Sequence, residues 1–316
     1  MREQHVAFYS GGERVVGTLY LPDPSRNEPG PAIVQGPGWM GLRTARLYGP
    51  YHEAFVAAGM AVLIIDYRGF GDSGGDPLAF SPTRQLEDLI NSVTYLTTRP
   101  EVNADRIGVF GSGGTGGGNA VSLAAADPRV KCVVSQVPVA DGRDWLRRMR
   151  RVHEWYEFLA RLEADRAKRV ATGQGELVRP QEIMIPTPER RTTSIKRDVD
   201  SRVPTRLPLA AAEGIMAYQP IEVVDRITPR PMLIVAVEND PVTPTEHAEA
   251  LYERAGPPKR LIIQRQTTHY AAYRQYGKTI IPQMVDWFRR GLTAAPIRAV
   301  ETFAGREEHM VIEEVE

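Results

Sequence analysis

Three loops in the 316-residue chain hold the residues best equipped for chemistry. Residues Arg106 to Ala120, RIGVFGSGGTGGGNA, begin as a β-branched apolar run and end as the start of a helix. The glycine-dense turn between them carries two hydroxyl side chains, Ser112 and Thr115. A second loop, ENDPVTP, follows the run PMLIVAV and carries Asp240, and a third, RQTTHY, follows RLIIQ and carries His269. An imidazole oriented by a carboxylate is a general base for acyl transfer, and the carboxylate also stabilises the imidazolium that forms. The order of turn, acid and histidine is that of a nucleophile elbow, where small residues let strand end and helix start pass nearly in contact. Earlier, PAIVQ leads into GPGWMG, a glycine-rich turn able to offer a backbone N–H to a developing oxyanion.

Other readings of the glycine run are weaker. Gly111, Gly113 and Gly116 satisfy G-x-G-x-x-G, but the next strand ends VVSQVP without the acidic residue that holds a ribose. No Gly-Lys-Ser/Thr closes the run, which excludes a phosphate-cradling P-loop. HEWYE at 153–157 ends in glutamate where a zinc motif needs histidine, so no metal is expected, and no cofactor is implied.

Three arrangements of the turn remain open. Ser112 as nucleophile places Phe110 two positions earlier, where a bulky side chain crowds the helix. Thr115 reads G-x-T-x-G with Gly113 and Gly117, at the cost of a register shift of two and a β-branch in a strained turn. The third has no covalent nucleophile: His269 deprotonates a water or a substrate carbon while turn N–H groups stabilise the oxyanion. Against all three stand plainer roles, with Asp240 capping the helix that begins PTEHAEALYE and His269 a satisfied loop histidine.

The surrounding elements must position these loops. HVAFYS and RVVGTLYLP flank Gly11-Gly12 and predict an antiparallel hairpin. Runs at 31–35, 60–66, 106–110, 130–136, 231–237 and 260–264 are rich in Val and Ile, as strands buried on both faces are. Residues 81–98 predict a helix opened by Ser81 and Pro82, with Leu86, Leu89, Ile90, Val93 and Leu96 along one face. Strand–helix alternation means a mostly parallel sheet wrapped by helices, an α/β fold. Residues 141–217 break the rhythm with sixteen Lys/Arg against twelve Asp/Glu. There Trp145, Met149, Val152, Tyr156 and Leu159 share one expected helix face, packing on the core or roofing a pocket as a helical lid insertion, and the Pro- and Arg-rich second half is expected as loop. The core is then 1–140 and 218–292, with 293–316 a tail that is an added strand, a dimer contact or partly disordered. Tyr67, Trp145, His153 and Tyr156 are candidates to line the substrate pocket, and Asp66 with Arg68 is expected as an ion pair fixing its loop.

A formal net charge of zero gives no reason to expect nucleic acid or an anionic membrane, and no apolar run approaches the ~20 residues of a membrane span. The N-terminus lacks the apolar centre of a signal peptide. The single cysteine, Cys132, forms no intrachain disulfide and lies in a β-branched run, so a buried thiol in a cytoplasmic protein is expected. The expected partner is a small-molecule substrate, with a homodimer left open.

From Tyr9 to Leu292 the chain resembles the α/β-hydrolase superfamily. Within it, GMAVLIIDYRGFGDSGGD at 59–76 and DPRVKCVVSQVP at 127–138 resemble dienelactone-hydrolase-like and X-Pro dipeptidyl-peptidase-like hydrolases and fungal polyketide transferases. The resemblance implies hydrolysis of an ester, thioester, lactone or amide by an Asp240–His269 pair. Relatives carry a His-Gly-Phe-like triplet where this chain has Pro37-Gly38-Trp39, which makes the Trp39 N–H an oxyanion donor. They also carry Gly-x-Ser-x-Gly/Ser-Gly. Counting from RIG sets their serine at Gly113 and counting back from DPRV sets it at Gly114, so either register replaces the usual nucleophile with glycine. Ser112 is the provisional nucleophile, and the alternatives are a lyase, isomerase or cyclase in the same pocket, or a non-catalytic ligand-binding relative.

Overall fold

The computed structural model describes residues 1–23, 28–192, 202–292 and 307–312. Strands β1 (Arg2–Ser10) and β2 (Glu13–Leu21) form the expected hairpin, turning through Gly11 and Gly12 at φ 53° and 83°, both in the left-handed region. Next come β3 (Gly30–Gly36), α1 (Gly49–Ala57), β4 (Ala61–Asp66), α2 (Pro82–Thr97), β5 (Val102–Gly114), α3 (Thr115–Ala126) and β6 (Val130–Pro138). A long segment of α4 (Gly142–Arg148), α5 (Val152–Thr172), β7 (Leu177–Val178), α6 (Pro180–Ile183), α7 (Pro188–Thr192), β8 (Leu207–Pro208) and α8 (Ala211–Met216) follows. The chain then returns through β9 (Met232–Val237), α9 (Thr245–Arg254), β10 (Lys259–Gln264), α10 (Ala272–Gln275), α11 (Gly277–Gly291) and β11 (Glu307–Ile312).

The main sheet has the order β1-β2-β4-β3-β5-β6-β9-β10-β11. It is parallel from β4 to β11, and β2 joins it antiparallel through β4. All six expected apolar runs are strands, and β4 and β9 are buried along their whole length. Each Val or Ile so covered contributes about 1.5–3 kcal/mol over its exposed state. On one face lie α2, α3 and the long segment; on the other, α1 and α11 pack Phe55, Trp287 and Phe288 against Phe110 and Cys132. This is the α/β-hydrolase architecture, with the parallel strands delivering their C-terminal loops to one edge.

Two expectations change. The helix face running from Trp145 to Leu159 does not form, because the chain breaks between α4 and α5. Arg150 sits in that break, donates to the carbonyls of Glu182 and Ile183, and lies 3.8 Å from the Phe158 ring centroid. The register therefore resets, and α5 buries Trp155, Phe158 and Leu162 while Val152 and Tyr156 face solvent. Asp66 and Arg68 are not each other's partner. Asp66 is bound by the Arg43 side chain and N–H, and Arg68 pairs with Glu87 and Asp88, both at 2.5 Å. β4 ends at Asp66 and Arg68 lies in the turn that follows, so strand geometry does not bring the two side chains together. In the stretch expected as loop, α6, α7 and β8 are short regular elements, and 193–201 lies outside the described residues. Of the tail, Glu307–Ile312 pairs parallel with β10, and the rest likewise lies outside them.

Candidate active site

The glycine turn is built by β5 running directly into α3. Gly114 stands at the junction with φ 37° and ψ −98°, a backbone that a side-chain-bearing residue adopts only under strain. The approach behind it is equally tight: a Cβ on Gly111 would lie 2.0 Å from the Gly116 carbonyl oxygen, so strand and helix cross in backbone contact. In front of Gly114 there is space. A Cβ there would meet Thr243 Cγ2 at 3.4 Å and Trp145 Cζ2 at 3.5 Å, which are ordinary contacts.

The end of β9 delivers Asp240 and the end of β10 delivers His269. His269 Nδ1 lies 2.7 Å from Asp240 Oδ2, and both side chains are buried. The same carboxylate accepts from the N–H groups of Val242 and Thr243 at 2.7 and 3.1 Å, and from Thr243 Oγ1 at 3.0 Å. A carboxylate oxygen accepts, so in the Asp240–His269 bond Nδ1 carries the proton and Nε2 is left as the basic nitrogen. Asp240 thus closes its own loop and the histidine, while the N-cap of α9 is Pro244.

His269 lines a cavity of about 110 Å³ together with Gly38, Trp39, Ser112, Gly113 and Gly114. Gly38 is pressed against the turn, since a Cβ on it would lie 2.8 Å from the Gly113 carbonyl oxygen. The aromatic wall is Trp39 and Trp145, crossing edge to face with centroids 6.3 Å apart, and Trp145 Nε1 donates to the Val242 carbonyl at 2.7 Å. At the first turn of α3 the helix geometry leaves the leading N–H groups without intrahelical acceptors.

The other sequence candidates are dispersed. Ser112 lines the cavity, but its Oγ bonds Tyr273 Oη at 2.8 Å and Gln136 Oε1 at 3.4 Å, not His269. Thr115 is fully buried behind the turn and is not a lining residue. Tyr67 is buried deeper, its hydroxyl accepting from Asn119 Nδ2. His153 and Tyr156 are exposed on the outer side of α5.

The sequence reading passed over Tyr273, Tyr270, Thr243 and Arg190, all of which line the cavity. Burial holds the Tyr273 hydroxyl well above the ordinary tyrosine range, so it stays protonated. The HYAAYRQY spacing, which sets Tyr273 one helical turn after His269, was the available signal. Among the described residues no group of three or more His, Cys, Asp or Glu is placed to hold a metal ion, and no helix is long and apolar enough to cross a membrane.

Residues 11–271 match the X-Pro dipeptidyl-peptidase (S15) family. The chain belongs to that family. It is 29% identical over 271 residues to an uncharacterized 31.7 kDa protein of the traX-finO intergenic region in Escherichia coli, a match covering 85% of this chain and 94% of that protein. It is 24% identical over 279 residues to the thiohydrolase aneE of Aspergillus aculeatus, covering 82% of this chain and 83% of the relative. The solved structure of DcsB in complex with its substrate analogue superposes with a TM-score of 0.79 at 22% identity, over 93% of this chain and all of that one. The protein is accordingly a hydrolase by family.

Proposed function

We propose that the protein hydrolyses an ester, thioester, lactone or amide of a small organic acid, with His269 activating water and no acyl-enzyme. Gly114 carries this reading. It occupies the strand-to-helix junction that positions a nucleophile in this fold, and it has no side chain there. The space in front of it is bounded by Thr243 and Trp145 and lies in the same cavity as His269. Water in that space attacks the substrate carbonyl carbon while His269 Nε2 takes its proton. The carbonyl electrons move to oxygen, where the N–H groups of Trp39 and the first turn of α3 are the donors. Collapse of the tetrahedral intermediate breaks the bond to the leaving group, which recovers the proton from His269. Electrostatic help of this kind survives loss of a nucleophile at roughly 10³–10⁴-fold over water. The thiohydrolase relative supports thioesters as members of the substrate class.

In this reading residues 141–217 are the lid, since Trp145, Met184, Arg190 and Val203 wall the cavity. The core is 1–140 with 218–292, and the tail is 293–316. Ser112 favours a second reading, because its Oγ reaches the cavity wall. A fluorophosphonate probe, followed by intact mass and peptide mapping, separates the two. The water reading expects no adduct on folded protein and no acyl-enzyme after acid quench of a thioester reaction that His269→Ala abolishes. An adduct or acyl group on Ser112 overturns it in favour of the serine.

A further inference from the structure

The cavity's charge is one-sided. Among the described residues its lining includes a guanidinium, Arg190, and the His269 imidazole, but no Asp or Glu. Asp240 stands behind the histidine, consumed by Val242, Thr243 and His269. Most of the remaining wall is apolar or aromatic, as with Trp39, Met40, Leu42 and Trp145. An arginine in such a wall is normally matched by a carboxylate of the protein. Arg190 has no ion-pair partner among the described residues; its guanidinium lies 5.6 Å from the Tyr270 ring centroid.

Arg190 is also held in place with respect to the base. Its neighbour Glu189, which does not line the cavity, accepts from Thr268 Oγ1 and from the Tyr270 N–H at 3.3 Å. Those two residues flank His269. Helix α7 is thus tied to both sides of the catalytic histidine, and one residue further on it presents a cation to the substrate space. The charge reaches the far wall as well, where it favours the ionised form of the buried Tyr48 hydroxyl, which burial holds up at about 12.

We propose that Arg190 is the anchor for a carboxylate on the substrate, so that the preferred substrates are monoanionic: half-esters or half-thioesters of dicarboxylic acids, or acyl compounds bearing a remote carboxylate. The assignment rests on the hydrolytic reading of the same pocket. It adds a planar donor fork suited to two carboxylate oxygens, in a wall that shields the pair from water.

Binding tests this without turnover, because Trp39 and Trp145 line the cavity and report occupancy by fluorescence. The probes are the monomethyl and dimethyl esters of succinate, glutarate, adipate and pimelate, titrated into the full chain. The best-fitting half-ester is expected to bind about 10-fold or more tightly than its neutral diester, with the advantage shrinking as salt rises. Arg190→Met should bring the ratio near one, Arg190→Glu should invert it, and Arg190→Lys should retain part of it. Equal binding of half-ester and diester by the wild type overturns the proposal. So does a preference that survives in Arg190→Met, or no saturable response to any half-ester. Hydrolysis is read separately: a preference that depends on Arg190, without ester cleavage, leaves the anchor standing and removes the hydrolytic reading.

Discussion

The Ser112 hydroxyl lies 2.8 Å from that of Tyr273, and this pairing decides what the serine can do. Gln136 Nε2 donates to Tyr51 Oη at 3.1 Å, which leaves Gln136 Oε1 facing Ser112. An amide oxygen only accepts, so Ser112 donates to it and accepts from Tyr273, whose buried hydroxyl keeps its proton. Ser112 thereby holds Tyr273 at the cavity wall. Ser112→Ala is expected to lower kcat only about 10-fold, the cost of one positioned hydrogen bond. A loss of 10³-fold or more, measured on the same thioester, would return the serine to the role of nucleophile.

Gly114→Ser tests the junction directly. The added Cβ finds room at 3.4 Å from Thr243 Cγ2, but φ of 37° strains any side-chain-bearing residue by about 1–3 kcal/mol. A variant less stable than wild type, yet labelled stoichiometrically at position 114 by fluorophosphonate, is the expected result. Folded but unlabelled protein would mean that His269 does not address that position.

Removing the proposed base and removing its orienting acid should cost activity to a similar degree. His269→Ala removes the proton acceptor and is expected to lower kcat/KM by about 10²–10⁴-fold. Asp240→Asn keeps the volume but presents an amide to Nδ1, destabilises the imidazolium and permits the wrong tautomer, with a loss of similar order. Steady-state kinetics with far-UV circular dichroism as the folding control checks both, and turnover within 2-fold of wild type in either variant counts against the pair.

Much of this was readable from residue types. The runs at 60–66 and 231–237 are short, apolar and rich in Val and Ile, the pattern of strands buried on both faces. Asp240 and His269 were legible because their loops follow such strands in a required order. The register of the glycine turn was not, since Gly113 and Gly114 are chemically identical and only the backbone at the β5–α3 junction distinguishes them. The 145–159 face was misjudged because Arg150, a residue that reads as solvent-facing, is held against Phe158 and ends one helix before the next begins. Arg190 was illegible, since its place at the cavity depends on Glu189 bonding residues 79 and 81 positions away.

The crossing of β5 and α3 makes a stability prediction independent of catalysis. A Cβ at Gly111 would stand 2.0 Å from the Gly116 carbonyl oxygen and 2.8 Å from Ala120 Cβ. Both obstacles belong to the helix's inner face, so relief requires α3 to move. Gly111→Ala is expected to destabilise the fold by about 3 kcal/mol or more, beyond the common range for overpacking by one methyl. Urea denaturation followed by circular dichroism measures this, and a cost under 1 kcal/mol would mean that the crossing is looser than described.

His52 links stability to pH. Its ring is buried beneath Tyr20 and Tyr48, with Nε2 2.6 Å from Gln35 Oε1, and burial pushes its pKa down to about 4 from 6.5. Between those two pH values the unfolded chain binds a proton that the folded chain refuses. The stability His52 confers is therefore complete above pH 6.5 and declines as pH falls towards 4, by about 3 kcal/mol at the limit. His52→Gln retains a polar group against Gln35 and does not titrate, so its stability should fall less steeply over that window. Denaturation midpoints at pH 7.5 and 4.5 give the comparison. Because other groups titrate equally in both proteins, only the difference between the two slopes counts. Parallel slopes would mean that the ring is protonated in the folded state.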